Sequence, residues 1–218
     1  MSQQSNFQKC IQGYHMLNTA PISQAVWENI NVQIYSRSGV EVFSQADGSH
    51  SSGMDINCSL GRISNKTAKY SNKTFDISSY RLTTACSESA CGTADEIVAA
   101  INAKKNFDLY SFLVRDEDSP DQIRYDWYSI PSDHPAFNPA AYEWKPKIGK
   151  RGKKIETQVG WTTDPLPGGS SMGITFSMSS QLWIHKLNSD ELSEFLVASC
   201  TVGRTAKYNY IDLVDLLP

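Results

Sequence analysis

Between Met54 and Thr67 the chain alternates polar and apolar side chains around a glycine, which restricts the segment to a pair of strands. It reads Met-Asp-Ile-Asn-Cys-Ser-Leu-Gly-Arg-Ile-Ser-Asn-Lys-Thr. Gly61 tolerates the positive φ of a tight reversal, which puts the turn at Leu60-Gly61. Ser59 then pairs with Arg62, Asn57 with Ser64 and Asp55 with Lys66. Side chains alternate across a strand, so Asp55, Asn57, Ser64 and Lys66 share one face. Met54, Ile56, Cys58, Leu60 and Ile63 share the other.

Asp opposite Lys on a solvated face is an ordinary cross-strand pair worth roughly 0.2–1 kcal/mol. The same two groups also supply what a metal-dependent phosphodiesterase needs. A carboxylate holds a divalent cation, and an ammonium steadies the attacking water and the scissile phosphate.

Elsewhere the pattern alternates helices with strands. Ile22, Val26, Ile30 and Ile34 recur at helical spacing, predicting a helix over Pro21 to Tyr35. A short apolar strand, Val40 to Phe43, lies in the Gly/Ser-rich link to the hairpin. The stretch after the hairpin is polar, with a strand at Tyr80 to Thr84. Thr93-Ala-Asp-Glu96 is a capping box opening a helix to about Lys104. Phe107 to Arg115 reads as a buried strand, and Ile123 to Ile130 as its hairpin partner. Pro131 to Gly169 reads as irregular and Met172 to Lys186 as a long strand or bent pair. Asn188-Ser-Asp-Glu191 is a second capping box, predicting a helix to about Ala198. The tail from Tyr208 to Leu217 is amphipathic, suited to packing on the core or on a second subunit.

The spacing of Asp55 and Ser64-Asn65-Lys66 resembles the PD-(D/E)XK nuclease signature. There an Asp opens one strand and acid-X-Lys follows on the strand paired to it. The approach Asp47-Gly-Ser-His-Ser-Ser-Gly-Met-Asp55, the segment Ile77 to Thr83 and the strand Ile174 to Ile184 are similar to type II restriction endonucleases. The resemblance implies an α/β fold with a mixed central sheet flanked by helices, a restriction-endonuclease-like core and an added β-rich DNA-reading region. It implies one nuclease domain over 1–218, with a catalytic core in 1–130. Recognition would lie in the loop and strands of 131–186, and 187–218 would be a C-terminal helical region.

The implied activity is site-specific, Mg²⁺-dependent hydrolysis of double-stranded DNA by a homodimer. Asp55, Lys66, Ser64 and Glu28 would be catalytic, with Asp55 and the Asn65 carbonyl as metal ligands and Ser64 bonding a metal-bound water. Ser64 stands where the family usually has its second acid, and a hydroxyl is a weak Mg²⁺ ligand. Glu28, in the first predicted helix, and Glu41 are the candidate replacements, with Glu28 favoured. His50 is read as a turn residue or phosphate contact. Candidate DNA contacts are Arg81 as a phosphate clamp, Lys150, Arg151, Lys153 and Lys154 in the basic run, and Ser177, Ser179, Ser180 and Gln181 in the late strand.

Composition bounds these readings. The 218 residues are 40% hydrophobic, a globular value, and no window is apolar enough to span a bilayer. The N-terminus lacks the basic and apolar regions of a signal peptide, and the five cysteines make an odd, scattered set. Both point to reduced thiols and a cytoplasmic location. A net charge of −3 is unusual for a nucleic-acid binder, but Lys145 to Lys154 gathers six basic residues without an acid. The rival classes are a structure-specific or repair nuclease with the same core, an inactive DNA-binding protein on a nuclease-like sheet, and an extracellular β-rich binding module.

Overall fold

The computed structural model describes residues 2–46, 53–81, 93–151, 154–176, 181–209 and 211–212. Strand β2 (Ile56–Cys58) and strand β3 (Gly61–Ser71) form the expected antiparallel pair. The reversal falls at Ser59-Leu60, one residue earlier than expected, and Gly61 leaves it at φ +120°. Cys58 therefore pairs with Gly61, Asn57 with Arg62 and Ile56 with Ile63. Asp108 holds this geometry, accepting from the Arg62 amide at 2.8 Å and from its guanidinium at 3.0 and 3.2 Å. A two-residue slip preserves which side chains share a face, because the side-chain period is two. It brings Asp55 level with Ser64 rather than Lys66.

The described residues build a mixed α/β structure on one mixed sheet of eleven strands. Strand β3 runs parallel to β5 (Leu109–Asp116) from Ile63 to Lys69, and β6 (Gln122–Pro131) and β11 (Leu196–Gly203) extend the sheet beyond it. On its other edge β3 is shared. Strand β2, with β1 (Val42–Gln45) outside it, pairs as far as Ile63. Strand β4 (Thr74–Arg81) pairs with β3 only at Tyr70 and Ser71. From β4 a second branch continues through β10 (Gln181–Asn188), β9 (Ser171–Phe176), β8 (Lys154–Thr163) and β7 (Trp144–Arg151). The sheet thus forks along Ser64 to Lys69, where that edge of β3 has no partner strand among the described residues.

Helices α1 (Gln3–Leu17) and α2 (Gln24–Arg37) cover one face of the β3-β5-β6-β11 half. Their seam is Phe7, Ile11, Trp27, Ile30 and Ile34 against Ile56, Ile63, Leu113, Tyr125 and Trp127. On the opposite face, the segment containing the short 3₁₀ turns Pro135–Phe137 and Pro139–Ala141 closes a core around Phe75, Tyr110 and Phe112. Helix α3 (Ala94–Lys104) opens with the expected capping box and sets Ile97 and Ile101 on Trp161, Ile174 and Trp183 of the second branch.

Several expectations are corrected. Helix α1, capped by Ser2, was not expected, and the polar stretch after the hairpin is the rest of β3 and a turn into β4. That turn, Asn72-Lys73, has both residues at positive φ without a glycine, and Ser189 holds it by bonding the Lys73 carbonyl. The region 131–169 is not irregular, since it contains β7 and β8. Of the two alternatives for residues 172–186, the pair is the one observed, β9 and β10 running antiparallel. The described residues of 187–218 hold a 3₁₀ turn, Ser193–Phe195, then β11, and two helical residues, Ile211 and Asp212, behind an Asn209 cap, rather than a long helix from Asn188. Asn188 and Glu191 do not form a cap: Asn188 accepts from the Asp190 amide and Glu191 from the Ser170 hydroxyl. Ala198, Cys200 and Val202 then alternate into the core as a strand requires.

His185 is completely buried beside Trp183 and Phe137, with ring centroids 4.1 and 5.4 Å away. Burial, and then the nearby Lys105 ammonium, lower its pKa to about 3. A histidine kept neutral in the fold contributes stability above its unfolded pKa, near 6.5, and loses it as pH falls toward the folded value. Unfolding free energy should therefore fall with acidification below pH 6.5, with an extra slope of roughly 1 kcal/mol per pH unit from this one group. His185→Leu should lack that extra slope in urea melts between pH 6.5 and 4.5.

Candidate functional site

The unpartnered edge of β3 leaves the Asn65 amide and carbonyl without strand partners, and side chains take both. Asp55, just before β2, accepts from the Asn65 N–H through Oδ2 at 2.5 Å. Lys66 turns back along the strand and donates from Nζ to the Asn65 carbonyl at 2.8 Å, with Asp55 Oδ2 at 3.8 Å. The Lys66 side chain is only 8% exposed and that of Asp55 20%. The expected cross-strand ion pair is thus formed around a backbone group, inside the fork rather than on a solvated face.

Glu28 joins this pair from α2. Its carboxylate accepts from Gln24 one turn earlier, at 3.1 Å. Burial raises its pKa first, with repulsion from Asp55 in the same direction, while the Gln24 bond and Lys66 oppose. Asp55 is raised by burial against the pull of Lys66 and the Asn65 amide. Lys66 is lowered by burial against the attraction of Asp55 and Glu28. Two carboxylates around one ammonium leave a negative charge over in a partly desolvated place, an arrangement that favours a further cation.

The donors fit one. A cation, the Lys66 ammonium, already stands between the Asn65 carbonyl and Asp55 Oδ2, both hard oxygens of the kind Mg²⁺ prefers. The buried Ser64 hydroxyl lies beside them and acts on the Asp55 carboxylate, favouring its charged form. Among the described residues no group of three or more His, Cys, Asp and Glu side chains is gathered closely enough to hold a metal by itself. Any bound cation would therefore lean on the backbone carbonyl.

The other expected residues fall elsewhere. Glu41 is at the turn end of the hairpin, its backbone carbonyl accepting from the Ser59 amide, so the fold does not bring it to Asp55. Four residue steps along the chain separate its partner Ser59 from Asp55, roughly 13 Å. Arg81 ends β4, paired with Leu182, and its side chain lies outside the described residues. Lys150 is exposed on β7, while Arg151 and Lys154 pair in register where β7 and β8 meet. Gln181 opens β10 opposite Phe176. His50, Lys153, Ser177, Ser179 and Ser180 lie outside the described residues.

A polar network under the site was not expected. Asn31, fully buried on the apolar face of α2, donates from Nδ2 to Asn65 Oδ1 at 2.6 Å and to Ser111 Oγ at 2.8 Å. Ser111 Oγ also accepts from the Trp127 indole at 2.9 Å, and its carbonyl from the Trp27 indole at 3.3 Å. These bonds tie α2 to β3 and β5 directly behind the Asn65 backbone. The legible signal was an asparagine among the core-facing positions Trp27, Ile30 and Ile34.

Removing one partner of such a pair strands the other's amide, whereas removing both does not. Asn31→Leu should cost about 1–3 kcal/mol in urea denaturation. Asn31→Leu with Asn65→Leu should cost less than the sum of the two single variants, by at least about 0.5 kcal/mol.

Comparison of the chain with protein families, with curated proteins and with solved structures finds no match.

Proposed function

We propose that this protein is a Mg²⁺-dependent endonuclease that hydrolyses double-stranded DNA at specific sites. The observation that carries the reading is the gathering of Asp55, the Asn65 carbonyl, Lys66 and Glu28 at the one stretch of β3 that no strand covers among the described residues. A mixed sheet with an antiparallel β1-β2-β3 set beside α2, and with β5, reached after β4 and α3, parallel to β3, is compatible with the reading.

Asp55 Oδ2, the Asn65 carbonyl and Glu28 are the groups that would hold the ion. Bound there, Mg²⁺ supplies Lewis acidity toward the phosphate and lowers the pKa of water. Lys66 carries fixed positive charge at the same point, where it orients the attacking water and offsets the charge gathering on the phosphate. The Asn65 amide keeps the Asp55 carboxylate aimed at the edge, and the surrounding burial strengthens each of these interactions.

The basic run supports a nucleic-acid substrate. Strand β9 covers β8 only from Gly160 to Thr162, so beyond Gly160 strands β7 and β8 pair only with each other among the described residues. This arm carries Lys147 and Lys150 in exposed positions. Arg151 and Lys154 lie at its far end, and Ile148 on it is 59% exposed. A two-stranded ribbon of this kind fits the major groove of B-form DNA.

Plasmid DNA incubated with Mg²⁺ tests the reading. Discrete fragments that vanish with chelator are expected, and intact DNA that is nonetheless bound would leave a binding protein. Asp55→Ala and Lys66→Ala should each slow cleavage at least about 100-fold while leaving DNA binding in calcium largely intact. Glu28→Gln should impair cleavage and Glu41→Gln should not.

Replacing Lys150, Arg151, Lys153 and Lys154 with Ala should weaken binding and flatten its salt dependence. The log–log slope should shrink by about 0.9 for each phosphate that the variant no longer neutralises. Anisotropy titrations at several salt concentrations measure it, and an unchanged slope would leave the arm as solubilising surface.

A further inference from the structure

The arm formed by β7 and β8 carries two side chains that its basic run does not explain. Where the arm leaves the sheet its register breaks. Lys147 pairs with Gly160 and Ile148 with Gln158, so Val159 is a one-residue bulge. A bulge re-aims the side chains beside it and increases the local twist. Val159 packs over Gly149, where an added Cβ would come within 3.0 Å of its Cγ2. Gly149 and Ile148 face opposite ways along the strand, so that contact leaves Ile148 uncovered. Ile148 is 59% exposed and joins none of the apolar clusters of the described residues. Its cross-strand neighbour Gln158 donates from Nε2 to the Gly160 carbonyl at 3.1 Å. That bond fixes which way the amide points and uses one Nε2 hydrogen. The other hydrogen and Oε1 are left for a partner.

We propose that Ile148 and Gln158 read an A·T base pair in the major groove, an inference that rests on the nuclease reading above. The charge of the arm suits the placement. From Lys147 to Gly160 the sequence holds five basic residues against one acid, Glu156. Lys145, which pairs with Asp164 and Glu143, lies before this stretch. Phosphate contacts by the cations would hold the arm on the duplex, but such contacts carry no sequence information. Base reading needs groups matched to base edges. Glutamine bonds N6 and N7 of adenine together, and an apolar side chain packs on the thymine methyl. An A·T pair offers both features in the major groove, and a G·C pair offers neither. Directly opposed strand residues hold their Cβ atoms about 4.5–5.5 Å apart, so these two side chains can address the two bases of one pair.

Duplexes selected by the full chain from a randomised pool, in calcium to prevent cutting, give the preferred site. The wild-type protein should fix an A·T pair at one position of it, and Ile148→Ala and Gln158→Ala should each relax that position. Anisotropy titrations with altered bases then assign the contacts. Uracil in place of the thymine removes only the methyl group. It should weaken wild-type binding about fourfold and leave Ile148→Ala unaffected. An adenine analogue with carbon in place of N7 should weaken wild-type binding at least about fivefold and leave Gln158→Ala unaffected. Both variants should keep the wild-type salt slope, because neither loses a phosphate contact. Variants that retain the wild-type site preference, in a protein that still cleaves, would overturn the readout and leave the nuclease reading intact. An Ile148→Ala protein that still discriminates thymine from uracil would also overturn it. So would unchanged DNA affinity with a loss of self-association in sedimentation, which would assign Ile148 to a protein contact. A preference that relaxes as expected, in a protein that never cleaves, would uphold the readout and refute the catalytic reading. A wild-type chain that binds no duplex at all would refute both.

Discussion

Asn65 is held in three directions, and the site exists because of it. Its side chain is fixed from behind by Asn31, its amide by Asp55 and its carbonyl by the Lys66 ammonium. A backbone group buried without a partner is costly, so a strand edge that loses its neighbour must be satisfied by something else. Here side chains satisfy it. The fork in the sheet and the cluster of ionisable groups are two aspects of one arrangement, since the gap between β2 and β4 creates the demand that Asp55 and Lys66 meet.

Burial makes the arrangement consequential. An exposed Asp–Lys pair adds little, but a lysine side chain only 8% exposed has surrendered most of its water. The Asn65 carbonyl, Asp55 and Glu28 offset that loss together, which explains why no one of them can be assigned the ammonium alone. The network of Asn31, Ser111, Trp27 and Trp127 serves the same end from the opposite face. It sets the rotation of α2 against β3 and β5, and Glu28 lies one turn from Asn31 on that helix. Polar groups in the core thus align the groups at the edge.

What the sequence disclosed was local. Helices α2 and α3, the hairpin of β5 and β6 and the shared face of Asp55, Ser64 and Lys66 follow from spacing and capping within a few residues. The reversal between β3 and β4 was hidden because Asn72-Lys73 lacks glycine and owes its conformation to Ser189, far along the chain. Strand β7 was hidden by Pro146 and Gly149, which an edge strand tolerates and a central one does not. The start of β11 mimicked a helix because Asn and Glu at capping spacing bond equally well in a turn. Within the site, Asp55 and Lys66 were legible from alternation. Asn31 required knowing what α2 packs against.

The topology also governs the order in which the protein can assemble. Strand β4 touches β3 at only two register pairs, while its long ladder is with β10, where Phe75 meets Leu187 more than one hundred residues later. A strand with so little local support stays unpaired until β10 has left the ribosome, and such distant pairings close slowly. The half containing α1, α2, β2, β3, β5 and β6 needs nothing after Pro131 except β11 to complete its sheet. Synthesis from the N-terminus therefore favours early formation of the half bearing Asp55 and Lys66, with the branch beside it closing last.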